Sequence, residues 1–197
     1  MTSQIPDDAA PAPSEPSPSV ISDAAPPRPA WAEANQLMRD YYDFEWGMPV
    51  TDDAGVYERI VLEGFQSGLS WETVLRKRPA FREAFAGFDP AKVAAFTDDD
   101  VERLLADPGI IRNGRKIRSA ITNAQATVAL QESGASLAEI VWAHAPADPC
   151  ETTDVMPSRS PESEALSKDL KSRGFVFVGP VTMYALMQAI GIYQHRL

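Results

Sequence analysis

The stretch Leu62–Trp71, LEGFQSGLSW, puts an acid where an acid is costly. Val56, Tyr57, Ile60, Val61 and Phe65 recur at helical spacing. At about 100° per residue, Glu63 falls beside Val56 and Ile60 on the edge of that apolar face. A carboxylate there costs free energy unless something pairs with it. Gly64 and Gly68 weaken the helix and permit close approach of another group, and Trp71 follows shortly after. A carboxylate, small residues and a large indole form a floor and wall suited to a flat ligand that is cationic or hydrogen-bonding. Taken singly, each has a plainer reading. Glu63 can be a core-edge salt-bridge partner, and Trp31, Trp46 and Trp71 can be core residues.

The elements that must carry these residues are helical. Ala32–Trp46 reads as a helix bearing Leu37, Met38, Tyr41, Tyr42 and Trp46, stopped by Pro49. Asp52 or Asp53 can cap a helix over about 53–67. Ser70 can cap another that carries Trp71, Val74 and Leu75 and ends at Pro79. Short helices are expected at Ala80–Phe85 and Pro90–Ala95, and Thr97-Asp-Asp-Asp100 is a capping-box start for a helix through Leu105. After Pro108-Gly109, a long helix over about 113–131 carries Ile117, Ala120, Ile121, Ala124 and Val128 on its apolar stripe. Helix, tight glycine turn and helix in succession can aim free backbone N–H groups at a phosphate. Further helices are expected at Leu137–His144, from Ser160–Ser163 to Arg173, and from Pro180 to Gly191, with a loop over 145–161. Gly174–Gly179, GFVFVG, has no partner strand and is expected to be an extended connector. The expected fold class is all-α, with roughly ten helices, most of them short.

Residues 1–28 are rich in Pro, Ala, Ser and Asp and are expected to form a disordered tail ahead of a single helical domain over 29–197. A hydrophobic fraction of 44% suffices for a core. No apolar run is long enough to span a membrane, and no basic-then-apolar start reads as a secretory signal, so the expected location is the cytoplasm. The lone Cys150 excludes an internal disulfide framework and a thiolate-rich metal site. The net charge of −10 argues against binding nucleic acid through bulk electrostatics. Asp7, Asp8, Glu15 and Asp23 lie in the tail with only Arg28 to offset them, however, and cations cluster at Arg76–Arg78, Arg112–Arg118 and Lys168–Arg173, so a local basic surface remains open.

Several motifs in order resemble bacterial DNA-3-methyladenine glycosylase I: Trp31, YYDFEWG ending at Gly47, LEGFQSGLSW, Phe88–Ala95 (FDPAKVAA), Gly109–Arg112 (GIIR) and GFVFVG. The resemblance runs from about Trp31 to Gly191. It implies a helix-hairpin-helix glycosylase fold acting on double-stranded alkylated DNA as a monomer. It also implies that Glu63 and Tyr41 hydrogen-bond a flipped base and that Trp71 and Trp31 are its aromatic neighbours, with Trp46 nearby. Gln66, Gly68 and Leu69 would face the gap left in the duplex, and Gly109, Ile110 and Arg112 would hold the phosphate backbone. Glu63 would act chiefly as a negatively charged recognition group that sorts a cationic lesion from neutral adenine, with orientation of the attacking water as a second role open to it.

Members of that family commonly carry a structural zinc held by Cys and His. Here Pro29 and Tyr42 occupy two of those positions, and the C-terminal Cys-containing segment is absent; only His195 remains. No metal or other cofactor is therefore expected, and packing of Trp31 and Tyr42 must hold the terminus instead. Two other readings of the same residues remain. One is a helix-hairpin-helix protein that binds DNA damage without turnover; the other is a binding protein for free purines.

Overall fold

A computed structural model describes residues 28–149 and 157–194. Among these residues nine α-helices and one short 3-10 helix form, and no strand. The helices are α1 (Gln36–Phe44), α2 (Asp53–Gln66), α3 (Trp71–Ala84), α4 (Pro90–Ala94), α5 (Asp98–Ala106), α6 (Gly114–Glu132), α7 (Leu137–Trp142), α8 (Pro161–Ser172) and α9 (Pro180–Ala189); the 3-10 turn spans Ala86–Phe88. The expected tail and its boundary at residue 28 fall almost wholly outside the described residues, as do Cys150 and His195.

Local chemistry sets most of the helix starts. Asn35, Asp52, Ser70, Asp89, Asn113, Ser136 and Ser160 each accept a backbone N–H in the first turn that follows them. Thr97 and Asp100 close the expected capping box. Two expectations change. The helix expected from Ala32 starts at Gln36, because Asn35 caps it and residues 30–34 form turns. The helix expected to stop at Pro79 instead runs through to Ala84. Proline removes one helical hydrogen bond, but the buried stripe Val74, Leu75, Arg78, Phe81 continues across it, and packing outweighs the missing bond.

Helix α2 lies at the centre, packed by α3, α6, α7 and α9. Its residues Val56, Tyr57, Ile60 and Phe65 join Phe81, Phe85 and Phe88, Ile117 of α6 and Met183, Leu186 and Met187 of α9 in one main core. Helix α1 stands apart from it. Met38 and Tyr41 form a small second cluster with Leu75, against which Trp31, Leu37, Trp46 and Trp71 pack. The seam between the two cores is where the site lies.

Candidate active site

An ion-pair network joins the three helices that flank this seam. Glu45, at the end of α1, accepts from Arg59 of α2 at 3.1 Å and Arg78 of α3 at 2.6 Å. Arg78 also reaches Glu58 at 2.9 Å, and Arg82 completes the chain at 2.9 Å. Burial acts against ionisation of Glu45, but the hydrogen bonds from Arg78 and Arg59 outweigh it and hold the carboxyl below its usual range. On the far side, Gly47 N–H donates to the carbonyl of Ala189 at 3.0 Å, tying the turn after Trp46 to α9. Gly191, at φ +82°, is needed there because a Cβ would sit 2.7 Å from the Gly47 carbonyl oxygen.

The cavity, open to solvent, has a volume of about 460 Å³, in the range of small-ligand pockets. Tyr41, Trp31, Trp46, Glu63 and Trp71 all line it, together with Gln66. The rings of Tyr41 and Trp71 lie 5.4 Å apart at 45°, and those of Trp31 and Trp46 5.4 Å apart at 71°. At these angles neither of the two pairs is stacked face to face. The same cavity is also lined by Met38, Ser70, Glu72, Ala185 and Gln188, which the sequence pattern did not single out. For Gln188 a signal existed, a lone amide in the apolar run Ala185–Ile190.

Glu63 is 6% exposed and makes no hydrogen bond or ion pair among the described residues. Burial pushes its carboxyl up to about 8, and the positive charge of Arg59 offsets only part of that. Burial thus favours the protonated form of Glu63, and a cation placed beside it favours the ionised form. Burial, then the Glu63 charge, keep the Tyr41 hydroxyl above the usual phenol range. The indole Nε1 of Trp71 is buried without a hydrogen-bond partner among the described residues.

The helix-turn-helix over α5, residues 107–113 and α6 is tied directly to this pocket. Lys116, in the first turn of α6, is buried and donates to the carbonyls of Phe65 at 2.9 Å and Ser67 at 2.6 Å, where α2 ends. Lys77 of α3 donates to the carbonyls of Pro108 at 3.0 Å and Gly109 at 3.1 Å. Beyond α2, Gly68 takes φ +81° and turns the chain so that Leu69 is left exposed.

Within the turn the expected residues differ in what they present. Gly109 has both polar groups engaged internally, its N–H donating to Asp107 at 2.7 Å. The Ile110 side chain is buried in the main core, so only its backbone can face a partner. Arg112 is exposed, and neither it nor Arg115 has an ion-pair partner among the described residues. The amides of Ile110, Ile111, Arg112 and Gly114 likewise find no acceptor among the described residues. The Arg76–Arg78 cluster does not form one basic face. Arg76 pairs with Glu72 at 2.6 Å, Lys77 turns to the hairpin and Arg78 turns inward.

The positions where the resemblance puts zinc ligands do not fit a metal. Pro29 has no donor side chain, and the Tyr42 ring stacks on Trp46 at 5.5 Å and meets Trp31 edge-on at 5.4 Å. Among the described residues no group of three or more His, Cys, Asp or Glu side chains could hold a metal ion.

The site thus pairs a hairpin whose amides find no acceptor among the described residues with an aromatic pocket that buries one acid, the two joined through Lys116. Residues 31–197 match the family model described as methyladenine glycosylase. The chain is 44% identical over 169 residues to DNA-3-methyladenine glycosylase 1 of Escherichia coli K12, covering 84% of this chain and 90% of that protein. A crystal structure of 3-methyladenine DNA glycosylase I superposes with a TM-score of 0.81 at 45% identity, covering 84% of this chain and 93% of the other. A tyrosine-to-phenylalanine variant of 3-methyladenine DNA glycosylase I, solved in complex with 3-methyladenine, gives a TM-score of 0.77 at 31% identity, covering 83% and 90%. The chain belongs to the methyladenine glycosylase family.

Proposed function

We propose that this protein releases 3-methyladenine from alkylated double-stranded DNA by hydrolysing its N-glycosidic bond, leaving an abasic site. The observation that carries this reading is the convergence of Glu63, Tyr41, Trp71, Trp31 and Trp46 on one cavity. A base must leave the stack before its glycosidic bond can be reached, and a damaged base is extruded more readily. N3-methylation leaves the nucleotide's base positively charged, so the base is already a good leaving group and needs little acid catalysis. Each well-placed ring favours that cation by roughly 0.5–2 kcal/mol. Arrival of the cation favours loss of the Glu63 proton to solvent, and the resulting pair distinguishes the lesion from neutral adenine, for which the carboxyl stays uncharged.

In this reading Leu69, with Gln66 and Gly68, fills the gap left in the duplex. The free amides of Ile110, Ile111 and Arg112, with the Arg112 and Arg115 side chains, grip the phosphates, which accounts for DNA binding by a chain of net charge −10. The cavity lining includes no lysine, and Lys116 is committed to two carbonyls, so no Schiff base and no strand cleavage are expected. Pro29, which has no donor side chain, and Tyr42, whose ring packs on Trp46 and Trp31, support a protein that works without zinc. No helix among the described residues is long and apolar enough to cross a membrane, in keeping with a cytoplasmic repair enzyme.

The test is incubation of methylated duplex DNA with the protein and with its Glu63→Ala variant, followed by chromatography of the released bases. Free 3-methyladenine from the wild type and far less from the variant is expected. Tight binding of alkylated duplex with no base released would instead make the protein a damage binder. Elemental analysis of protein purified without chelator should find no stoichiometric zinc.

A further inference from the structure

Gln188 interrupts an apolar stretch of α9, where leucine or methionine would pack without penalty. It is 8% exposed, lines the cavity with Glu63 and Trp71, and its Nε2 is buried with no hydrogen-bond partner among the described residues. An amide N–H buried without an acceptor costs about 1–3 kcal/mol, a penalty that a ligand atom can remove. Ala185, three residues earlier on the same face, also lines the cavity, so a methyl group rather than a bulky side chain lies alongside the amide. With the orphan Nε1 of Trp71, the pocket thus holds two N–H donors besides the Glu63 carboxyl. An adenine-type base has the complementary pattern, an exocyclic amino donor beside ring-nitrogen acceptors.

We propose that Gln188 is a specificity-determining residue whose side-chain N–H donates to a ring nitrogen, N1 or N7, of the bound base. The assignment rests on the base-pocket reading above. If N1 is the partner, a guanine-type base is disfavoured, because its N1 carries a hydrogen and two donors would face each other.

The test is calorimetric binding of free 3-methyladenine and of its 1-deaza and 7-deaza analogues to the wild type and to Gln188→Met, which keeps the volume but removes the amide. The variant should bind 3-methyladenine roughly threefold to tenfold more weakly, the effect of one hydrogen bond, while its melting temperature stays at or above that of the wild type because the unpaired amide is gone. One deaza analogue should lose the same factor on the wild type and nothing further on the variant. Equal affinity of variant and wild type for 3-methyladenine, or deaza losses equal in both proteins, would overturn the assignment. Should the variant not fold, the wild type decides alone, since equal affinities for all three bases leave Gln188 without a ring-nitrogen partner. A wild type that binds none of them refutes the pocket reading, and this assignment with it.

Discussion

Replacing Glu63 by glutamine should both weaken base release and flatten its dependence on pH. A full carboxylate and a cation about 4 Å apart at an effective dielectric near 20 attract by about 4 kcal/mol. Because burial holds the free carboxyl at about 8, ionising it at pH 7 costs about 1.4 kcal/mol of that attraction. The net advantage over a neutral glutamine is then about 2–3 kcal/mol, or roughly 30- to 150-fold in kcat/KM.

The sign of the pH effect follows from the same value. Only the ionised form favours the cationic lesion, and its fraction rises about eightfold between pH 6.5 and 7.5 for a group titrating at about 8. Wild-type kcat/KM on methylated duplex should rise by about that factor and level off above pH 8, while Glu63→Gln stays flat. Folding stability should move the opposite way. The raised value means the folded state binds the extra proton, so wild-type stability falls as pH rises from the ordinary carboxyl value of 4.5 toward about 8. The variant lacks that slope. Initial rates of base release across this range, with urea unfolding at the same pH values, measure both effects. A flat wild-type profile, or a variant that retains the rise, would show that Glu63 does not supply the selectivity.

Loss of the network that joins the pocket walls should be felt in stability as well as activity. Glu45→Ala leaves Arg59 and Arg78 buried without their shared acceptor and should cost about 1–3 kcal/mol in urea unfolding, reduced by the 37% exposure of the Glu45 side chain. Lys116→Met frees the carbonyls of Phe65 and Ser67, and should lower base release from duplex DNA more than from single-stranded methylated DNA, with Lys116→Arg intermediate. Trp71→Ala should reduce affinity for free 3-methyladenine by roughly 1–3 kcal/mol, read by calorimetry. Asp53→Ala removes an acceptor used by Ser136, Gln131 and Ala138 N–H, and should cost about 1–2 kcal/mol. Although burial opposes it, those bonds hold Asp53 below its ordinary value of 3.8, so this difference should be present above about pH 4 and fade as pH falls further.

The sequence by itself determined the helices, because their starts are written in short-range chemistry. A serine or asparagine side chain caps the backbone only a few residues away, and an apolar stripe declares its own period. Glu63 could be singled out for the same reason, as an acid set against its own helix's apolar face. Its charge state could not. That depends on how completely α1, α3 and α9 exclude water from it, and on Arg59 being drawn toward Glu45 rather than toward Glu63. Pro79 marks the same limit from the other side. Its local rule predicts a stop, and burial of Phe81 and Ala84 overrides it. Gln188 and Lys116 lie more than forty residues from the groups they serve, so no spacing in the chain connects them to the pocket. Only folding brings a solitary amide and a solitary lysine to partners that a linear pattern cannot reach, since desolvation and hydrogen bonding act through space rather than along the chain.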